Sequence, residues 1–141
     1  MRNQKRSWAV AACMAATAPL LSSAAFAERL DGSRDITCAV MKVVGCVDNG
    51  TCIQGQARQF ELPEFIILDA KKKVLRADYE SGHKAVSPVK SIERSGNHLV
   101  MQGVENSHGW DIAIDTGTGR MSGAGVGGEV SFLVFGPCTE N

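Results

Sequence analysis

The chain has 141 residues, with 15 Lys/Arg against 15 Asp/Glu. Residues 1–27 hold Arg2, Lys5 and Arg6 and no acid, so residues 28–141 carry 12 basic and 15 acidic side chains, a net of 12 − 15 = −3. That size fits one small domain, and a mildly acidic surface gives no electrostatic reason to bind nucleic acid or an anionic membrane. An apolar content of 44% argues against a disordered chain.

The first segment has the three parts of a cleavable secretory signal: a basic start through Arg6, an Ala-rich apolar run from Trp8 to Leu21, and a small-x-small pattern at Ala25 and Ala27. Cleavage is expected after Ala27. Pro19 and the shortness of the run disfavour a membrane anchor, which needs about 20 apolar residues. Cys13 lies within the apolar run and is followed by Met14 and Ala15, so a soluble exported protein is expected over a lipoprotein. Residues 28–35 are expected to be a flexible N-terminal tail, and residues 36–141 a single disulfide-stapled β domain.

Four cysteines remain: Cys38, Cys46, Cys52 and Cys138. An even count in a small exported domain reads as a disulfide framework. Cys38 and Cys46 lie about 26 Å apart on a continuous strand and about 12 Å apart on a helix, too far to bridge without a chain reversal. Asn49-Gly50 supplies a reversal between Cys46 and Cys52. The favoured pairing is therefore Cys46–Cys52 with Cys38–Cys138, and the alternative is 38–52 with 46–138. The spacings contain no C-x2-C knuckle for zinc and no C-x-x-C for a redox helix.

In chain order, Ile36–Val47 fills both alternations with apolar residues, so it is open between strand and helix, with β-branched Val40, Val43 and Val44 favouring strand. Residues 65–68 and 74–79 read as a hairpin around Lys71-Lys72-Lys73. Residues 86–92 follow, then 98–104 after the turn at Ser95-Gly96-Asn97. In the next strand, 110–115, the residues Trp110, Ile112 and Ile114 share one face, and Trp110 is expected in the core. Residues 120–122, a glycine cluster at 123–128 and a strand at 130–135 complete the series. Turn signals near every ten residues predict an all-β antiparallel meander of seven to nine strands, curled into a barrel or half-barrel. Pairing of first and last strands would join Cys38 to Cys138 and hide both sheet edges.

The candidate chemical motifs are weak. Gly123-Ala124-Gly125-Val126-Gly127-Gly128 matches G-x-G-x-x-G but precedes a strand, not a helix, so a flexible turn is expected there. His83, His98 and His108 have no metal-ligand spacing. Ser107, His108 and Asp111 supply hydrolase residue types without a nucleophile elbow. Asp48-Asn49-Gly50 lacks the later ligands of a calcium loop, and Lys71-Lys72-Lys73 has no interleaved aromatics for stacking bases. No cofactor and no metal are expected. Loops carry binding residues on rigid scaffolds, and the Gln102–Gly109 loop is the richest, with Glu105, Asn106 and His108 as the candidate binding residues.

Leu62-Pro63-Glu64-Phe65-Ile66, Gly109-Trp110-Asp111-Ile112 and Phe135-Gly136-Pro137-Cys138 give the chain a layout that resembles small exported, periplasmic bacterial proteins, a likeness that implies no activity. In size and end-to-end disulfide layout the chain is also similar to periplasmic inhibitors of c-type lysozyme, which are small β-barrels. That family's inhibitory loop motifs, containing Ser-Gly and Tyr, are not matched. The expected function is that of an exported, non-enzymatic binding or interaction module of the cell envelope, located in the periplasm or secreted. The alternatives are an inhibitor of a host or competitor enzyme such as lysozyme, and a small hydrolase using His108 and Asp111. Envelope or host proteins are the expected partners, with no nucleic acid and no transmembrane segment once the signal is removed.

Overall fold

The structure, a computed structural model, describes residues 30–141; the expected signal segment, 1–27, lies outside them. The described chain is all-β apart from one 3-10 turn at Ala57–Phe60. Its strands are β1 (Ile36–Ala39), β2 (Lys42–Val47), β3 (Cys52–Gly55), β4 (Phe65–Asp69), β5 (Val74–Asp78), β6 (Lys84–Ser95), β7 (His98–Glu105), β8 (His108–Asp115), β9 (Arg120–Val126) and β10 (Val130–Glu140). Strands β4 to β10 follow one another as an antiparallel meander, and β1 pairs with both β4 and β10, closing an eight-stranded barrel. The seven to nine expected strands become ten segments because β2 and β3 extend the wall beyond those eight.

The 36–47 stretch is extended, and its double alternation has a structural cause. Ile36, Cys38 and Val40 face inward in one phase, then Val43 and Gly45 face inward in the other. The phase changes at a break over Val40 and Met41. On one side of the break β1 pairs with the distal part of β10, and on the other β2 pairs with Val130–Phe135. Gly136 sits opposite the break, where any Cβ would overlap the Ala39 carbonyl oxygen. Only glycine permits that approach.

Both favoured disulfides are formed. Cys38–Cys138 joins register partners across the β1–β10 seam, and Cys46–Cys52 joins register partners in the β2–β3 hairpin. A register shift between Val89 and Ser91 rephases β6, so that Val89 and Ile92 both turn toward the interior.

One end of the barrel is sealed. Ile36, Leu68, Leu99, Ile114 and Met121 are buried there together with Leu30. Residues 30–35, expected as part of a flexible tail, lie against this end: the Leu30 amide donates to the Thr116 carbonyl at 3.1 Å, and the Asp31 and Arg34 amides donate to the Glu140 carboxylate. The Arg94 guanidinium donates to the Asp31 carbonyl. Among the described residues, no helix is long and apolar enough to cross a membrane.

Candidate functional site

The other end of the barrel is hollow, and the reason can be read along the strands. Inward positions shrink from one end to the other: Leu75, Ala77 on β5; Leu99, Met101, Gly103 on β7; Met121, Gly123, Gly125 on β9. Ala85 and Ser87 continue the small set on β6. Side chains this short cannot meet across an eight-stranded barrel, whose interior is otherwise just filled. A cavity of about 180 Å³ remains, lined mainly by apolar groups that include Val40, Leu62, Ile66, Ala77, Trp110 and Phe132. A Cβ added at Gly125 would meet nothing within 4 Å, so the wall there borders open space.

Trp110 occupies part of the hollow, as its phase with Ile112 and Ile114 predicts. Its indole lies across Gly103, the register partner on β7, where any Cβ would strike the ring and come within 2.8 Å of the Pro88 carbonyl oxygen. That crossing carries the indole Nε1 over β7 to donate to the buried Ser87 hydroxyl on β6, at 2.9 Å. The polar atom of each partner is thereby satisfied inside an otherwise apolar chamber.

The mouth is bounded by the β5–β6, β7–β8 and β9–β10 hairpins and by Leu62-Pro63. Phe60, in the 3-10 turn, covers the flank. It packs on Gly45 and Gly55 and meets Phe132 edge-on at 5.9 Å between ring centroids. Tyr79 and Glu105 stand at the rim and line the same chamber. Burial raises the Tyr79 hydroxyl above its ordinary pKa, and the negative charge of Glu105 adds to the rise.

The structure brings Glu105 and His108 together as register partners across the β7–β8 hairpin and places Asn106 in its turn. The wide loop expected over 102–109 is a tight hairpin, with only Asn106 and Ser107 between β7 and β8, at φ 48° and 67°. Two consecutive left-handed residues are what a type I′ turn requires. Glu105 lines the cavity. Asn106 forms the turn, and its carbonyl lies 2.9 Å from His108 Nδ1. His108 turns toward the next hairpin, its Nε2 2.9 Å from where a Gly128 Cβ would stand. Asp111 accepts a hydrogen bond from Gln102 Nε2 at 2.7 Å, and Gln102 also pairs with Ser91, forming a ladder on the outer wall. His108 and Asp111 are thus engaged separately, and no serine among the described residues hydrogen-bonds either side chain. The glycine cluster also differs from expectation: Gly123 to Val126 belong to β9, leaving Gly127 and Gly128 in the turn.

Tyr79, Ser87, Gly103 and Gly125 escaped the sequence reading of the site. The available signal was the declining side-chain size toward one end of successive strands. Among the described residues, no group of three or more His, Cys, Asp or Glu side chains is placed to hold a metal ion. No protein family, curated protein or solved structure matches the chain.

Proposed function

We propose that this protein is an exported, non-enzymatic binding module that takes a small apolar group into the open end of its barrel. The observation that carries the reading is the chamber of about 180 Å³ behind Tyr79 and Glu105. An apolar cavity of about 150 Å³ stays dry and takes up benzene, so this one suits a guest of about one ring or a short alkyl chain. Small-molecule sites characteristically combine such an apolar lining with a few placed polar groups. The two disulfides suit the oxidising compartment that the N-terminal signal pattern implies.

Trp110 is the only tryptophan beyond residue 27 and it lines the chamber, so the protein carries its own probe. Titrating the disulfide-bonded protein with toluene should change Trp110 fluorescence saturably. A Gly125→Leu variant, with a side chain grown into the open space, should lose the response while keeping its near-ultraviolet circular dichroism. A wild-type protein whose emission stays flat up to the solubility limit of toluene would rule the pocket out as a binding site.

A further inference from the structure

Glu105 is the last residue of β7 and continues the inward phase of Leu99, Met101 and Gly103. The other acidic residue beside the chamber, Asp111, spends its carboxylate on Gln102 at the outer wall. The Glu105 carboxylate forms no hydrogen bond or ion pair with another described residue, and the Tyr79 hydroxyl likewise has no hydrogen-bond partner among them. The rim therefore presents an uncompensated carboxylate and a free hydroxyl above an apolar floor.

The nearby carboxylates carry the same sign, with the His108 and His83 rings beside Glu105 and Tyr79 at this end. Glu61, Glu64 and Glu129 belong to the segments and turn at this end. The cations there, Arg58 and Lys84, are already paired with Glu80 at 3.7 Å and Asp78 at 3.6 Å. A mouth lined by one sign of charge over low-dielectric walls concentrates ions of the opposite sign.

We propose that the open end binds a small protonated amine, its ammonium group on the Glu105 carboxylate beside the Tyr79 hydroxyl and its apolar body in the chamber against the Trp110 indole. This rests on the apolar pocket proposed above and names the class of ligand it takes. The match is one of amphiphilic shape. The charged head stays at the half-hydrated rim, and the ring or alkyl tail displaces no polar contact on its way in. A carboxylate–ammonium contact is charge-assisted and stronger than the contact a neutral hydroxyl makes at the same place. An indole face adds attraction for a nearby cation.

Benzylamine and benzyl alcohol differ in charge but hardly in size, so they separate the two layers of the proposal. Both are titrated against the disulfide-bonded protein at pH 7.5 and low salt, in the wild-type chain and in Glu105→Gln, with Trp110 fluorescence as the readout. Benzylamine should bind about tenfold more tightly than benzyl alcohol in the wild type, and the two should bind alike in Glu105→Gln. Equal affinities in the wild type would overturn the amine class and leave the apolar pocket standing. A preference for benzylamine that survives in Glu105→Gln would remove Glu105 from the site. Binding of neither compound would overturn the pocket and the amine proposal together.

Discussion

At the sealed end of the barrel the inward residues are Ile36, Leu68, Leu99, Ile114 and Met121; at the open end they are Ala77, Ala85, Ser87, Gly103 and Gly125. Strands β7 and β9 supply members of both sets, so along those two strands the difference lies in side-chain volume. The polar groups divide the same way. At the sealed end Asp69 and Asp115 fasten turns by accepting backbone N–H groups, and Asp31 fastens the N-terminal segment. At the open end the Glu105 carboxylate is left without such a partner. One half of the barrel holds the fold and the other is free to be shaped around a guest.

A large effect is expected where the two halves meet. Gly136→Ala would drive a methyl group into the Ala39 carbonyl oxygen at the strand break, where neither backbone can retreat without opening the seam. A loss of about 3 kcal/mol or more is expected from such overpacking, seen as a lowered urea midpoint or failure to fold. The disulfides also contribute, and unequally. Replacing Cys38 and Cys138 by Ser opens a staple spanning 100 residues and should cost about 4–5 kcal/mol on the chain-entropy estimate. Replacing Cys46 and Cys52, separated by 6 residues, should cost about 2 kcal/mol, confined to fraying of β3 in hydrogen exchange. Similar losses for the two pairs would contradict the idea that only the first one closes the barrel.

Side-chain volume gives a direct test of the contrast between the ends. Ile114→Ala, at a fully buried position of the sealed end, should destabilise by about 2–5 kcal/mol. Gly125→Val, facing empty space at the open end, should stabilise by about 1 kcal/mol, because it adds apolar burial and removes glycine's backbone freedom from a strand. If Gly125→Val were as damaging as Ile114→Ala, the open end would be packed after all.

The smallest effect is set by pH. Hydrogen bonds hold three carboxyls below the usual carboxylate range: the Lys72 amide for Asp69, the Gly117 and Thr118 amides for Asp115, and the Ser33 side chain followed by its amide for Asp31. Carboxyls with a lowered native pKa add stability that is present above the unfolded value and is lost as pH falls through the native one. Below about pH 4, amide exchange should therefore quicken at Ser33, Lys72, Gly117 and Thr118 of the sealed end before it does in the β7–β8 turn. Quickening first at Ser107 and His108 would reverse the assignment of the two ends.

The strand series and both disulfides were legible because alternation, Asn49-Gly50 and cysteine spacing are local signals. Trp110, Ile112 and Ile114 announced an inward face by phase alone. The chamber was not legible, since it depends on which small residues become neighbours across strands. That alignment is set by the shift in β6 near Lys90 and by the break at Val40–Met41, neither of which leaves a mark readable in one segment. The glycine cluster misled for a related reason. Gly123 is required by close packing, its missing Cβ standing 3.0 Å from the Asp111 carbonyl oxygen and from Val134, whereas Gly127, at φ 125°, is required by a turn. Composition cannot tell those two demands apart. Glu105 was singled out as a loop residue and does reach the candidate site, but as the inward end of a strand.

The seam between β1 and β10 also dictates an order of events during folding. Strands β4 to β10 pair through hairpins as soon as their own residues are available, whereas β1 and β2 must wait for β10, up to about a hundred positions away. Long-range closures of this kind are slow, and unpaired strand edges stay exposed meanwhile. Starting from the reduced chain, the Cys46–Cys52 ring should form early and act as a bystander. Formation of the Cys38–Cys138 bond is the commitment step, after which the sheet has no free edge along β1 to offer a neighbouring molecule.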